Sequence, residues 1–158
     1  MTVEQLQEFG MERMSEEAIR GFLEAQGMGV LALPDADAPY LLPLSFGYDG
    51  ADTLYFTYIV GAESQKARLS ADTTRARFLT YNAESPFSWR SVVLTGQLAE
   101  LPQSDWGDHT DAILDNAWHP AIFDSAIETM DILVYQFAIE DWSGVRHSGL
   151  PPGLDADV

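Results

Sequence analysis

The sequence predicts a mainly β protein with a few α-helices, folded as a six-stranded antiparallel β-barrel with capping helices. The 158 residues contain six segments rich in β-branched and aromatic residues, and short turn signals separate the first three. The chain is 46% apolar and holds four Trp, six Tyr and eight Phe, a composition typical of a packed domain. Closure of the sheet into a barrel would remove its exposed strand edges.

The first predicted element is a helix that begins after Ser15 and closes at Gly27. Serine is a favoured N-cap, and Glu16 and Glu17 complement the positive end of the helix dipole. Apolar residues then recur with helical spacing, at Ile19, Phe22 and Leu23. We therefore expect this helix to cover an apolar surface.

Six strands are predicted, at residues 28–33, 39–48, 53–58, 75–81, 89–98 and 132–142. Residues 34–38 have the composition of a turn, and Asp49-Gly50 is a hairpin signal. Gly96 interrupts the fifth strand, as expected of a bulge or a barrel corner. Two further helices are predicted at 63–71 and 104–117, the second with an apolar face formed by Trp106, Ile113, Leu114 and Ala117.

One domain is expected over residues 1–150, followed by a disordered tail over residues 151–158. No apolar run approaches the ~20 residues of a membrane-spanning helix, and the acidic N-terminus lacks the pattern of a signal peptide. We therefore expect a cytoplasmic protein with no membrane partner. The sequence has no cysteine, and its three histidines lack metal-ligand spacing, so neither thiol chemistry nor a metal site is expected.

The net charge of −17, from 25 acidic against 8 basic residues, indicates adaptation to the high-salt cytosol of a halophile. At ~1 M ionic strength the Debye length is ~3 Å, so surface carboxylates repel one another little while their hydration maintains solubility. The same acidity argues against nucleic acid as a partner, because the sequence offers no basic face to bind phosphates.

Positive charge is concentrated between Ser64 and Ser91. This segment carries Lys66, Arg68, Arg75, Arg77 and Arg90 against only Asp72 and Glu84. A cation cluster in an acidic protein is expected where an anionic ligand is held, since the overall field would otherwise repel a phosphate. The alternative is that these residues pair with nearby carboxylates.

The order of the elements is more specific than any single motif. Five segments follow one another along the chain in a characteristic order. They are PLSFGYDG at 43–50, TLYFTY at 53–58, SQK at 64–66, RARFLTY at 75–81 and WRSV at 89–92. This arrangement resembles the pyridoxamine 5′-phosphate oxidase-like FMN-binding split barrels, and most closely the small branch that includes nitroimidazole-resistance-type flavoproteins. The resemblance covers residues 15–100, and the segment WSGVR at 142–146 is compatible with the last strand.

The resemblance implies a homodimer that binds FMN at the subunit interface and acts as an oxidoreductase on a small molecule. The positions it implies in FMN binding are Leu44, Ser45, Phe46, Thr57, Tyr58, Ser64, Gln65, Lys66, Trp89, Arg90 and Ser91. The helix start at Ser64, with the Lys66 ammonium, would bind the FMN phosphate through the helix dipole and charge-assisted hydrogen bonds. The segment 89–91 would complete the pocket across the subunit boundary.

Other functions remain open from the sequence. It contains no GxSxG, Walker, GxGxxG or HExxH motif, so no catalytic residue is predicted. In a flavoenzyme the isoalloxazine carries the electrons, so none is required. Gln65-Lys66 stands where the oxidases commonly have an Arg-Lys pair, which argues against pyridoxamine phosphate as substrate. The alternatives are a deazaflavin-dependent reductase, a flavin-binding or sensing module without turnover, and an acidic interaction protein without a ligand.

The excess of acidic residues predicts that folding depends on salt. Lowering the ionic strength to ~0.01 M lengthens the Debye length to ~30 Å, so repulsion then acts across the whole molecule. We expect the midpoint of thermal unfolding to fall steadily as salt is removed. Calorimetry over a salt series measures this, and a midpoint that is flat or rises at low salt would contradict the interpretation.

Overall fold

The computed structural model describes residues 2–116 and 131–149. Its strands belong to one sheet. They are β1 (Met11–Arg13), β2 (Met28–Leu33), β3 (Tyr40–Ser45), β4 (Gly47–Tyr48), β5 (Thr53–Val60), β6 (Arg75–Ser85), β7 (Ser88–Glu100) and β8 (Asp131–Ser148). The helices are α1 (Glu16–Ala25), α2 (Gln65–Asp72) and α3 (Thr110–Leu114), with 3-10 helices at Val3–Phe9 and Gln103–His109.

The sheet closes through one kinked strand. β3 pairs with β2, whereas β4, which follows after the single residue Phe46, pairs with β5. The order across the sheet is β3-β2-β6-β7-β8-β5-β4, so its two ends are consecutive pieces of the chain. The strands therefore form a barrel that is open between β3 and β5. We call this opening, which involves the residues before Phe46, the split.

Alternate side chains along the strands fill the barrel interior. The interior core contains Leu54, Phe56 and Tyr58 of β5, Phe78 of β6, Val92 and Leu94 of β7, and Tyr135 and Phe137 of β8. Helix α1 adds its buried face of Ile19, Phe22 and Leu23, with Ser15 accepting a hydrogen bond from the Ala18 amide as N-cap. A smaller cluster of Tyr55, Leu101 and Val134 lies on the opposite face of β5 and β8 and is covered by Trp106 and Ile113.

Strand β8 connects most of the barrel. Of its 18 residues, those from Tyr135 to Ser148 pair with β7, the first half pairs with β5 and the last residues pair with β1. A register shift between Thr95 and Gly96 marks a β-bulge against this strand, as the sequence predicts. A Cβ atom at Gly96 would overlap the carbonyl oxygen of Ala138, so the close approach at the bulge requires glycine.

The predicted fold class is confirmed, with two differences in its elements. The barrel circuit has the six predicted strand positions, because the predicted strand 39–48 spans β3, Phe46 and β4. The additional strand β1 was not predicted, since the three residues MER have no alternation of apolar and polar side chains.

The helix predicted at 104–117 is wrong in its first half. The structure has the 3-10 helix Gln103–His109 there, and only α3 is α-helical. Gly107 weakens helix propensity within this segment, and the Trp106 indole N–H donates to the Leu101 carbonyl at 2.9 Å, which ties the turn to the end of β7. Residue 117 and the tail predicted at 151–158 lie outside the described residues.

None of the helices in the described residues has the length and apolar composition needed to span a membrane.

Candidate functional site

The split separates Ser45 of β3 from Thr57 of β5. Where β4 pairs with β5, Gly47 lies opposite Tyr55. Continuing that register by two residues would set Ser45 opposite Thr57, but the kink carries β3 away to pair with β2. The structure therefore brings these two predicted site residues to opposite edges of one opening, where β3 and β5 diverge.

Both hydroxyl groups face the outside of the barrel. Phe46 follows Ser45 and Phe56 precedes Thr57, and both phenylalanines are buried in the interior. Because successive side chains of a strand point to opposite faces, Ser45 and Thr57 point outwards. Each side chain is half-buried, and neither hydroxyl has a hydrogen-bond partner among the described residues. The split thus carries donors and acceptors that no described residue uses.

The start of α2 follows β5 and carries the other predicted polar residues. Ser64 is its N-cap, with the hydroxyl accepting from the Ala67 amide at 3.3 Å. The amides of Gln65 and Lys66 have no acceptor within the part of the chain that the structure describes. Gln65 is exposed and Lys66 is half-buried. These groups form a small electropositive surface at the helix N-terminus.

Lys66 has no carboxylate partner among residues 2–116 and 131–149. Its Nζ instead lies 5.5 Å from the centroid of the Tyr58 ring, in cation–π geometry. The phenol oxygen of Tyr58 lies 2.9 Å from Ser70 Oγ, and the ring stacks on Tyr135 with centroids 4.9 Å apart. The lysine is therefore held by a buried aromatic pair, and no described carboxylate compensates its charge.

Burial raises the pKa of Tyr58 to about 12, with the Ser70 hydrogen bond opposing the shift and Tyr135 adding to it. The phenol is consequently neutral at ordinary pH, and its ring is 2% exposed. Tyr58 thus supports Lys66 from the interior, and its side chain does not face the outside of the split.

Leu44 and Phe46 also point inwards. The Phe46 ring is buried edge-on against Phe78 at 5.3 Å, and Leu44 packs against the same core. The Phe46 amide donates to the Gly27 carbonyl at 3.0 Å. These two residues shape the kink, so any contact they make with a ligand outside the barrel is through the main chain.

The third group of predicted residues, Trp89 to Ser91, lies elsewhere in the protomer. Thr57 pairs with Val134 of β8, whereas Trp89 pairs with His147, thirteen residues further along the same strand. At about 3.3 Å per residue this is roughly 40 Å along the strand. One protomer therefore does not bring 89–91 to Lys66, and the predicted sharing of the pocket across a subunit boundary stays a prediction.

Successive side chains of β7 point to opposite faces of the sheet, so Trp89, Arg90 and Ser91 do not all share one face. Ser91 is half-buried and pairs with Tyr81 of β6. Arg90 projects from the opposite face, where its guanidinium lies 5.1 Å from the centroid of the Phe22 ring of α1. Trp89 stacks on His147, with ring centroids 6.1 Å apart.

The cation cluster of the sequence is dispersed in the structure. Arg75 pairs with Glu140 at 3.2 Å, so for this residue the alternative of local ion pairing is correct. Arg68 and Arg77 are exposed and have no ion pair within the described ranges. The five basic residues of segment 64–91 therefore do not form one anion site.

Sequence reasoning missed a cavity of about 690 Å³ between the β4–β5 turn and the segment 107–115, which includes α3. Tyr55 Oη and His109 Nδ1 are 2.9 Å apart on its wall. Burial raises the pKa of Tyr55, with Asp49 adding to the shift, so the phenol stays neutral. The partners are 54 residues apart, and no local pattern links them. Asp49, Asp111 and Asp115 also line the cavity, which makes it unsuitable for a phosphate.

With this geometry, the comparison of sequences identifies the class of protein. Residues 15–146 match the family described as Pyridoxamine 5′-phosphate oxidase, which covers most of the chain. The chain belongs to this family. It is also 30% identical over 105 residues to an uncharacterized protein of Rhizobium meliloti (strain 1021), a match that includes 66% of this chain and 65% of that protein. The chain thus matches less than two thirds of the relative's length.

Solved structures share the fold. An FAD-binding protein from Mesorhizobium loti is 22% identical, with a TM-score of 0.70 over 88% of this chain and 98% of that chain. The FAD and heme binding protein from Mycobacterium smegmatis is 22% identical, with a TM-score of 0.69 over 94% and 77%. A proposed 5-nitroimidazole antibiotic resistance protein from Bacteroides thetaiotaomicron is 18% identical, with a TM-score of 0.63 over 87% and 89%. The split-barrel family named from the sequence is therefore confirmed.

The buried Tyr58 predicts a pH-dependent effect of Tyr58→Phe. At about pH 8 the variant should lose about 1 to 3 kcal/mol of stability, because the buried Ser70 hydroxyl loses its partner. The folded-state pKa of about 12 lies above the unfolded value of about 10, so the stabilisation from protonated Tyr58 is complete below pH ~10 and is lost as the pH rises through ~12. The difference between wild type and variant should therefore shrink over that range.

Denaturant unfolding of both proteins from about pH 8 to about pH 12 measures this difference. Tyr81→Phe is the matched control, since Tyr81 is 61% exposed and should unfold like wild type at every pH. A difference for Tyr58→Phe that stays constant, or grows as the pH rises, would contradict the assignment.

Proposed function

We propose that this protein binds FMN at the split and acts as an FMN-dependent oxidoreductase on a small molecule. The observation that carries the proposal is the set of polar groups left unused along the split and at the helix after β5. These are the outward hydroxyls of Ser45 and Thr57 and the ammonium of Lys66.

The groups present suit the parts of FMN. Hydroxyls both donate and accept, so Ser45 and Thr57 can orient the carbonyl and N–H edge of an isoalloxazine lying outside the split. The Lys66 ammonium and the free amides of Gln65 and Lys66 suit one phosphate. The bound flavin would supply the electron transfer, and the chain would bind and orient it.

The relatives support the flavin class of ligand. Two of the proteins that share this fold are described as binding FAD, which contains the same isoalloxazine as FMN. We propose FMN for this chain because one ammonium beside two free amides matches a single phosphate group, and because the sequence resemblance is to FMN-binding split barrels.

We further propose that the protein is a homodimer joined through the outer face of β3, β2, β6 and β7. Pro43, Val30, Leu79 and Val93 are successive register partners across these strands and form one apolar row. Leu41, Met28 and Tyr81 flank the row and are 63%, 47% and 61% exposed. Monomeric proteins seldom leave so continuous an apolar face in water.

The same face lies between the two separated groups of predicted site residues. Ser45 is the register partner of Met28, and Ser91 is the register partner of Tyr81. A second copy seated on this face would therefore place its own 89–91 segment near the split of the first. This arrangement would complete a flavin pocket from residues that are far apart in one protomer.

The oxidoreductase activity is tested separately from flavin binding. Protein purified with its coenzyme is expected to lose its visible flavin absorbance when reduced nicotinamide is added without oxygen. Unchanged absorbance would favour a flavin-binding or sensing module instead. The mass of the copurified coenzyme distinguishes FMN from a deazaflavin.

The anion site predicts a selective loss of affinity in Lys66→Met. Removing one charge-assisted interaction of about 1.5 to 3 kcal/mol should weaken FMN about tenfold to a hundredfold. Riboflavin has the same ring without the phosphate, so its affinity should scarcely change. Titration of the flavin-free protein, followed by fluorescence, measures both constants.

Arg68→Met is the matched control, because Arg68 lies on the same helix, carries the same charge and is exposed without an ion pair among the described residues. It should leave both affinities unchanged. Equal weakening of FMN and riboflavin in Lys66→Met would assign the lysine to the fold, and no weakening of either would remove it from the site.

The apolar face predicts that Val93→Glu separates the subunits and weakens flavin binding with them. A buried carboxylate without a partner is costly, so the dimer should dissociate. Leu114→Glu adds the same charge at a side chain that is 46% exposed on α3, and should remain dimeric. Sedimentation with and without FMN measures both effects, since a ligand of the dimer stabilises it by mass action. A monomeric wild type with full flavin affinity would exclude the shared pocket.

A further inference from the structure

Two arginines stand directly opposite each other near the end of the β7–β8 pair. Arg90 and Arg146 are register partners, so their side chains leave the same face of the sheet with Cβ atoms about 4.5 to 5.5 Å apart. Like charges in this position repel and destabilise the pair. In a chain with 8 basic residues and a net charge of −17, this juxtaposition indicates a place for negative charge.

The carboxylates in residues 2–116 and 131–149 leave much of this positive charge available. Glu12 of β1 accepts from Nε and Nη2 of Arg146, each at 2.9 Å. Arg90 forms no ion pair with the residues that the structure describes, and the ring of Phe22 lies 5.1 Å from its guanidinium carbon. Stacking on an aromatic ring fixes the plane of a guanidinium and leaves its N–H fork free for an oxyanion.

A pocket of about 250 Å³ adjoins both arginines. Asn82, the register partner of Arg90, and Ser148, the register partner of Ser88, also line it. Glu84 is the one carboxylate among the lining residues, and its polar contact is with Ser88 Oγ at 3.5 Å. Pockets for drug-sized ligands occupy about 300 to 1,000 Å³, so this volume suits a small organic anion and not a whole flavin.

We propose that this pocket binds a small organic anion, whose oxyanion group lies between Arg90 and Arg146. The oxyanion is the carboxylate of an organic acid or the phosphate of a small monoester. The site is distinct from the proposed FMN phosphate site at Lys66, since Arg90 projects from the face of β7 opposite Ser91. It therefore extends the proposed function and does not depend on it.

The test is calorimetric titration of the full-length protein at fixed chloride concentration with inorganic phosphate, benzoate and uncharged benzyl alcohol. Wild type should bind at least one of the two anions saturably at about millimolar concentrations, and the alcohol much more weakly. Tighter binding of benzoate assigns the carboxylic acid class, and tighter binding of phosphate the phosphate ester class.

Arg90→Gln and Arg146→Gln should each weaken the bound anion about tenfold to a hundredfold. Arg77→Gln is the matched control, since Arg77 is exposed on β6 without a described ion pair, and it should bind like wild type. Circular dichroism identifies any variant that fails to fold. If one glutamine variant does not fold, the other variant, whose arginine lies on a different strand, provides the test. The flavin content of the folded Arg146→Gln variant should equal that of wild type, because Arg146 is not among the residues placed in the flavin pocket.

Absence of saturable anion binding to wild type would overturn the proposal. So would unchanged binding in both glutamine variants, or equal weakening in Arg77→Gln. Displacement of the bound anion by one equivalent of FMN would mean that the two arginines bind the flavin. This result would also overturn the proposal of a separate anion site. Failure of flavin binding alone, with anion binding retained, would contradict the proposed function and leave this inference standing.

Discussion

The structure depends on one strand having two different neighbours. The chain from Tyr40 to Tyr48 pairs first with β2 and then with β5, and the change of partner occurs at Phe46. The buried Phe46 ring and its amide bond to Gly27 hold the kink in place. A Cβ atom on the next residue, Gly47, would overlap the Ala112 carbonyl oxygen, so the backbone there approaches α3 as only glycine permits. Without this change of partner, the sheet would neither close nor open the split.

The split in turn gives the outer surface its character. A fully closed barrel would have paired Ser45 with Thr57 and covered the main-chain groups between them. The divergence of β3 and β5 leaves these polar groups outside, next to an apolar sheet face. The candidate site is thus a consequence of strand pairing. Its side chains are ordinary polar residues that the topology leaves without hydrogen-bond partners among the described residues.

Much of the fold could be predicted from the sequence because its signals are local. The apolar run of residues 28–33, the Asp49-Gly50 turn and the N-caps Ser15 and Ser64 all depend on neighbours within a few positions. The kink at Phe46 has no such signal, since a buried Phe continues a strand pattern equally well. β1 also escapes prediction, because its pairing partner is more than a hundred residues away.

The candidate site was less predictable for the same reason. Sequence proximity suggested that Lys66, Arg75 and Arg90 act together, yet they contact a phenol ring, a carboxylate and a phenylalanine ring in different parts of the barrel. Neighbours along a strand alternate in direction, so Arg90 and Ser91 face opposite sides. Arg146 could not be grouped with Arg90 from the sequence, because only the β7–β8 register sets them together.

The position of β8 at the centre of the pairing scheme constrains how the protein is made. β1, β5 and β7 all pair with this strand, and Arg146 contacts Glu12 across 134 residues of chain. During synthesis these three strands leave the ribosome before their common partner exists, so their edges stay open until residues 131–148 emerge. Closing such distant contacts costs loop entropy before any strand pairing compensates it. We therefore expect the protein to fold slowly. The hydration of the many carboxylates keeps unfinished chains soluble during this interval, so the acidity of the folded surface also serves the folding of the chain.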